Sequence, residues 1–132
     1  MSEFKRRGSY LEASVATLFK RAGFDIELNC NVKGYEVDVY AKKLPYKYII
    51  ECKHYENSKI NVRNIIHQWH SKNSIIKADK VVIVIAGQTP TEEDYKLAER
   101  LDMVLLSEDK LHKLSELPNN KLLLKIGKLL DL

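Results

Sequence analysis

The run from Val81 to Ala86 constrains the fold of this chain more than any other feature. All six of its residues are apolar, so a β-strand here would present hydrophobic side chains on both of its faces. Such a strand must lie inside a sheet that other elements cover on both sides. As a helix, the run would be far too short to span a bilayer. We therefore predict an interior strand at residues 80–86 of an α/β protein.

The other predicted elements follow from the spacing of apolar residues and from capping patterns. Apolar residues three and four positions apart predict one helix from about Ser9 to Ala22 and another from about Val62 to Ser74. We interpret Thr89-Pro90-Thr91-Glu92 as a capping box with proline at the first helical position, opening a helix that ends near Leu101. Further strands are predicted at 24–32, 35–42, 46–53 and 103–106, with helical segments after Ser107 and after Asn120. The order α-β-β-β-α-β-α-β-α predicts one domain over residues 1–132, with a mixed central β-sheet flanked by helices.

The composition is that of an ordinary globular domain. Of the 132 residues, 45% are hydrophobic and 30% are charged. No apolar segment follows Met1 to Arg7 as a secretory signal would require, and Cys30 and Cys52 show no pairing pattern. These features predict a cytoplasmic protein that does not enter a membrane. The net charge of +4 and the isoelectric point near 9.0 are compatible with a polyanionic partner without demanding one.

The strand predicted at 35–42 carries two acidic residues. Its apolar residues Tyr35, Val37, Val39 and Ala41 are expected to share one face, which leaves Glu36 and Asp38 together on the other. Aspartate is depleted in strands, so two acids on one strand indicate a functional role. Glu36 is either part of such a site, bound to a metal-bound water, or a solvated strand residue.

The next predicted strand carries Glu51 and Lys53, which share a face for the same reason. If the two strands pair as a hairpin, their three carboxylates and one ammonium group converge on one patch. Carboxylates together bind a hard divalent cation, and an adjacent lysine can orient a nucleophile or stabilise a phosphate. This is chemistry for phosphodiester hydrolysis. The alternative is a surface ladder of salt bridges, worth only a few tenths of a kcal/mol per pair.

The order of helix, hairpin with Asp and Glu-x-Lys, helix and apolar strand resembles the restriction-endonuclease-like superfamily, also called PD-(D/E)xK nucleases. Within it, Glu51-Cys52-Lys53-His54-Tyr55 is similar to the third motif of Mrr-like restriction endonucleases, and the resemblance runs from about Ser9 to Leu114. The segment Phe24-Asp25-Ile26 also resembles archaeal Holliday junction resolvases, another branch of the superfamily. Val37 stands where many members have a proline before the aspartate.

By this resemblance, Asp38 and Glu51 bind a metal ion together with the backbone carbonyl of Cys52, and Lys53 acts on the nucleophilic water or the scissile phosphate. Glu12 matches the glutamate that the family carries on its first helix, which would make it a further ligand and catalytic residue. Its competing interpretation is a capping box with Ser9, in which the glutamate returns to the Ser9 amide. The implied cofactor is Mg²⁺, with Mn²⁺ expected to substitute.

Further polar residues are candidates for the surroundings of this site. Gln68 resembles the polar residue that the family's second helix directs at the site, although ordinary helix surface is an alternative. Basic residues are the candidates for DNA binding, because lysine and arginine neutralise phosphates. These candidates are Lys5, Arg6, Arg7, Lys42, Lys43, Lys47 and Lys59.

The sequence and the resemblance together predict a divalent-metal-dependent, Mrr-like DNA endonuclease. A structure-selective Holliday junction resolvase and a non-catalytic DNA-binding subunit with a nuclease fold remain the alternatives. One such site cuts one strand, so symmetric cleavage predicts a homodimer. The apolar segment from Leu122 to Leu130 is either the dimer interface or packs onto the chain's own sheet. A partner protein that supplies targeting also remains open.

Overall fold

A computed structural model describes residues 3–55 and 60–132 of the chain, without the side chains of residues 3–9. Within these ranges the chain forms five strands and five helices. In chain order they are α1 (Glu3–Arg21), β1 (Asp25–Val32), β2 (Tyr35–Lys43), β3 (Tyr46–His54), α2 (Val62–Ile76), β4 (Lys80–Ala86), α3 (Glu92–Arg100), β5 (Val104–Ser107), α4 (Glu108–Ser115) and α5 (Asn119–Leu129). The predicted order is confirmed, and the two helical segments predicted after Ser107 and after Asn120 are α4 and α5.

The five strands form one mixed sheet in the order β1-β2-β3-β4-β5. β1, β2 and β3 pair antiparallel as a meander, whereas β3, β4 and β5 are parallel and are joined by crossovers through α2 and α3. β4 lies between β3 and β5, and all seven of its residues are buried. The predicted interior strand at 80–86 is therefore confirmed to the residue.

Helices cover the sheet on both faces and form two hydrophobic clusters. The first cluster joins α1, α4 and α5 to one face and includes Phe19, Ile50 and Leu122. The second joins α2 and α3 to the other face and includes Trp69 and Ile83. Each fully buried aliphatic or aromatic side chain contributes about 1.5–3 kcal/mol relative to an exposed one. These two layers hold the hairpin of β2 and β3 between them.

Two helix starts differ from the sequence-based expectation. α1 begins at Glu3, so Ser9 lies inside the helix and not at its N-cap. The capping-box interpretation of Ser9 and Glu12 is therefore wrong. α3 begins at Glu92 behind the N-cap Thr91, whose hydroxyl accepts from the Asp94 amide while the Asp94 carboxylate accepts from the Thr91 amide. The predicted box placed its cap at Thr89, two residues too early.

The expectation that the apolar residues of β2 share one face is also wrong. Val37 packs in the second cluster, whereas Val39 and Ala41 pack in the first. The strand therefore exchanges its faces at Asp38, the residue between the two valines. β1 makes a matching exchange, with Ile26 against the first cluster and Cys30 against the second.

The C-terminal segment belongs largely to the core of the chain itself. Leu122, Ile126 and Leu130 are buried in the first cluster, while Leu123 and Leu124 of α5 are exposed. Packing onto the chain's own sheet therefore accounts for one side of this segment. In the part of the chain that the structure describes, no helix is both long and apolar enough to cross a membrane.

Candidate active site

The strands β2 and β3 separate at Asp38 and Glu51. Their hydrogen-bonded ladder ends at Val39 and Ile50, and Asp38 and Glu51 are the next residues along the two strands. Beyond this point, carboxylate oxygens of the two acids accept hydrogen bonds from backbone amides of the opposite strand, in place of backbone carbonyls. The Asp38 amide donates to Glu51 Oε1 at 2.9 Å, and the Cys52 amide donates to Asp38 Oδ2 at 2.9 Å. This reciprocal pair fixes each carboxyl group against the opposite strand, and it confirms that the two motifs come together through the hairpin.

Glu51 is buried, in surroundings that disfavour a charged carboxylate. Its side chain is only 3% exposed, and its pKa is raised from 4.5 to about 8. Burial is the largest cause, because a low-dielectric environment penalises the carboxylate, and the charge of Asp38 is the next. The hydrogen bond from the Asp38 amide and the charge of Lys53 act in the opposite direction. With a pKa of about 8, Glu51 therefore holds a proton at neutral pH when no cation is bound.

Glu12 reaches the same cluster from α1. Its half-buried side chain is influenced by the charges of Asp38 and Lys53 and by the side chain of Asn29. Burial and then the charge of Asp38 raise the pKa of Glu12, while the Asn29 side chain and the charge of Lys53 lower it. The structure thus brings Glu12 to the acidic pair.

Lys53 and Cys52 lie beside the acidic cluster of Glu12, Asp38 and Glu51. Lys53 is partly buried, and its charge lowers the pKa of Glu12, Glu51 and Cys52. The thiol of Cys52 packs against the first cluster, and burial followed by the nearby carboxylates raises its pKa well above the ordinary range. A thiol in this environment stays protonated, which makes it a poor nucleophile and a poor metal ligand. The backbone carbonyl is then the group of Cys52 suited to a hard cation.

The donor set fits a magnesium-type ion in its chemistry, because the available ligands are carboxylate and carbonyl oxygens. Among the side chains of residues 10–55 and 60–132, no group of three His, Cys, Asp or Glu is arranged as a cage for a metal ion. Mg²⁺ does not require such a cage, since it usually binds through one or two carboxylates together with water and substrate phosphates. Asp38 and Glu51 supply two carboxyl groups, and a cation would relieve the effect of the Asp38 charge on Glu51.

Other predicted residues lie outside the hydrogen-bonded cluster. Glu36 on β2 and Gln68 on α2 are both exposed. Lys42 forms a 2.9 Å ion pair with Glu27, and Lys43 donates to the Ala22 carbonyl at 3.3 Å. These two lysines and the exposed Lys47 lie toward the closed end of the hairpin, at a distance of roughly four strand residues, or about 13 Å, from Asp38. The side chains of Lys5, Arg6 and Arg7, and all of Lys59, fall outside the described residues, so the DNA-binding assignments stay predictions.

Asn29 is the contact of this cluster that the sequence analysis did not single out. It lies on β1 with a φ of 49°, and its side chain lowers the pKa of Glu12. The available signal was an asparagine in the middle of a predicted strand, where this residue type is depleted. Asparagine is also enriched among residues with positive φ, so it indicated an irregular position.

An α/β sheet with an aspartate and a glutamate-x-lysine on adjacent strands defines a nuclease domain of the restriction-endonuclease type. A family model described as "Restriction endonuclease" (Mrr_cat) matches residues 5–115, most of the chain. The chain belongs to this family. The resemblance noted from its sequence is thereby confirmed.

Solved structures show the same fold at low sequence identity. AF1548, a protein of unknown function, superposes with a TM-score of 0.65 at 21% identity, over 89% of this chain and 65% of its own. Can2 from Sulfobacillus thermosulfidooxidans, in complex with cyclic tetra-adenylate, gives a TM-score of 0.64 at 16% identity over 96% of this chain. VC1899 from Vibrio cholerae gives 0.61 at 19% identity over 97%. The present chain spans 36% of each of these last two proteins. No curated protein matches the sequence significantly.

Proposed function

We propose that this chain is a divalent-metal-dependent DNA endonuclease of the Mrr-like type, which hydrolyses phosphodiester bonds. The observation that carries the proposal is the reciprocal pair of Asp38 and Glu51 at the point where β2 and β3 separate, with Lys53 beside it. Membership of a restriction endonuclease family supports nuclease activity. Surface salt bridges do not account for this pair, because Glu51 is buried and is coupled to another acid.

Asp38 and Glu51 are the proposed metal ligands, with the carbonyl of Cys52 and with Glu12 as a further ligand. Mg²⁺, or Mn²⁺ in its place, would lower the pKa of a bound water and neutralise charge on the phosphate. The backbone donors on the facing strand orient the two carboxylates before substrate arrives. This pre-organisation matters because ligand groups that are already held in place need no rearrangement during the reaction.

Lys53 is the proposed cationic catalyst. Its charge lowers the pKa of Glu12 and of Glu51, so its ammonium group lies near the acids that would hold the metal ion. There it donates to a phosphate oxygen or orients the attacking water. The excess negative charge that builds up on the phosphate in the transition state makes such a donor most effective at that stage.

A nicking assay tests the proposal. Supercoiled plasmid is incubated with Mg²⁺, Mn²⁺ or EDTA and with the wild type, Asp38→Ala or the control Asp25→Ala, whose exposed aspartate lies at the start of β1. We expect metal-dependent cleavage by the wild type and the control, and none by Asp38→Ala. A panel of linear, nicked, methylated and four-way-junction DNAs then identifies the preferred substrate. DNA binding by the wild type without cleavage of any substrate would instead support a non-catalytic subunit.

We further propose that the active form is a homodimer. A single site of this kind cuts one strand, and a two-fold axis would supply the second site. Leu123 and Leu124 are the candidate contact residues, because they are exposed on α5 while its opposite side packs into the core.

A further inference from the structure

The chain leaves β4 at Gly87, which meets the end of β3 without a side chain. The φ of Gly87 is 78°, in the region that favours glycine. A methyl group built on its Cα would lie 2.7 Å from the carbonyl oxygen of Tyr55. Non-bonded heavy atoms pack best at roughly 3.5–4.0 Å, so such a group could enter only if the backbone moved. Both the backbone angle and the space at this position therefore require glycine.

The next residue, Gln88, binds the chain that follows β3 through its side chain. Its Oε1 accepts from the Ile60 amide at 2.8 Å, and its Nε2 donates to the Ile60 carbonyl at 3.0 Å. Two facing residues of an antiparallel pair exchange the same two bonds. The Gln88 carboxamide thus pairs with Ile60 as a strand residue would. Tyr55, before residues 56–59, and Ile60, after them, are therefore both in contact with the two residues that follow β4.

These contacts adjoin Lys53, the second-last residue of β3. The ladder between β2 and β3 ends at Ile50, whereas the pairing of β3 with β4 continues to His54. One residue further, the Tyr55 amide still donates to the Ala86 carbonyl at 2.8 Å. At this end of β3, the neighbouring backbone ladder among the described residues comes from β4. The position of the Lys53 backbone is therefore set from the side of β4.

We propose that Gly87 and Gln88 are positioning residues, which hold the end of β3 and thereby direct Lys53 at the acidic cluster. The inference rests on the proposed function, in which Lys53 acts on the attacking water or the phosphate. Gly87 allows the close approach of the two strand ends, and Gln88 binds the chain where it returns at Ile60. A lysine carries its charge at the end of a flexible stem, so a displaced backbone displaces the ammonium group. A misplacement of about 1 Å can lower a rate about 100-fold.

Gly87→Ala tests the close approach. The added methyl group has to displace the Tyr55 carbonyl, so we expect kcat for plasmid nicking to fall about tenfold or more. KM should stay near the wild-type value, and so should Mn²⁺ affinity, measured by electron paramagnetic resonance without DNA. The reason is that Asp38 and Glu51 are held by their own hydrogen bonds across β2 and β3, which the substitution does not touch.

Gly34→Ala is the matched control. Gly34 has a comparable φ of 90° in the turn between β1 and β2, yet apart from its chain neighbours no atom of the described residues lies within 4 Å of a Cβ built there. The control therefore carries the backbone strain without the collision, and its kcat should match that of the wild type. Equal losses of kcat in the two alanine variants would show that strain alone is responsible, and would overturn the inference.

Gln88→Ala tests the second contact, and it decides the question if Gly87→Ala does not fold. It removes both hydrogen bonds to Ile60 and adds no collision, so we expect a smaller fall in kcat with unchanged KM and Mn²⁺ affinity. Wild-type kcat in Gln88→Ala, or in a folded Gly87→Ala, would overturn the inference. A loss of Mn²⁺ affinity as large as the loss of kcat would also overturn it, because the whole site would then be disturbed.

Crystal structures of the wild type and Gly87→Ala distinguish failure of this inference from failure of the proposed function. Absence of cleavage by the wild type would refute the nuclease, and the two structures would then decide the positioning role by themselves. We expect the Tyr55 carbonyl and the Lys53 ammonium group to be displaced together in the variant. A Lys53 side chain that keeps its wild-type position would contradict the positioning role.

Discussion

The buried acid Glu51 makes the stability of this protein depend on pH in an unusual direction. In the unfolded chain its carboxyl group ionises near 4.5, whereas in the folded protein its pKa is about 8. Between these values the folded state binds a proton that the unfolded chain has released. The free energy of unfolding therefore falls as pH rises from about 5 to about 8. Glu51→Gln removes this titration while keeping an oxygen that can accept from the Asp38 amide.

The size of the effect follows from the pKa. A rise from 4.5 to about 8, at about 1.4 kcal/mol per pH unit, sets an upper limit of about 5 kcal/mol. The surroundings of a buried carboxylate can relax when it ionises, so we expect an effect on the order of 2 kcal/mol. For a domain of this size that corresponds to a melting temperature about 8 °C higher for Glu51→Gln than for the wild type above pH 8. At pH 5 the two melting temperatures should differ by only a small part of this, because pH 5 is only about half a unit above the pKa of 4.5 in the unfolded chain.

The assay is thermal unfolding followed by circular dichroism from pH 5 to pH 9 in EDTA. Glu99→Gln serves as the control, because Glu99 is an exposed glutamate on α3 outside the acidic cluster. Its melting temperature should follow that of the wild type at every pH. Parallel curves for wild type and Glu51→Gln over the whole range would show that burial of this acid does not govern the pH dependence, and the reasoning would be refuted.

Other predictions concern the site and the assembly. Asp38→Ala and Lys53→Ala should each abolish plasmid nicking while leaving DNA mobility shifts nearly unchanged, and near wild-type cleavage by Asp38→Ala would refute the site assignment. Glu12→Gln should lose activity without a change in melting temperature, whereas full activity would remove Glu12 from the site. At about ten times its Kd, Mg²⁺ should stabilise the wild type by roughly 1.4 kcal/mol, or a few degrees, and leave Asp38→Ala unaffected. Light scattering should show a dimer at micromolar concentration, and a monomer that produces only single-strand nicks would contradict the homodimer.

The spacing of apolar and polar residues along the chain was sufficient to predict most of the fold. The apolar run from Val81 to Ala86 requires cover on both faces wherever it lies, which is why the interior strand was predicted to the residue. The meeting of Asp38 with Glu51 likewise depends only on pairing of two neighbouring strands, and the hairpin provides it. The N-cap of α3 was harder to predict. Thr89 and Thr91 are each followed three residues later by an acid, as a capping box requires, and only the backbone conformation selects Thr91.

The sequence by itself determined the order of elements, the interior strand and the residue types at the acidic cluster, because these depend on periodicity and on contacts between neighbouring segments. The tertiary structure decided how the cluster is assembled. Alternation along β2 predicts one face for Val37 and Val39, yet packing of helices on both sides of the sheet divides them between two cores. The effect of Asn29 on the pKa of Glu12 and the burial that raises the pKa of Glu51 arise in the same way. Each joins segments distant in the chain, and such contacts exist only after the helices have packed on the sheet.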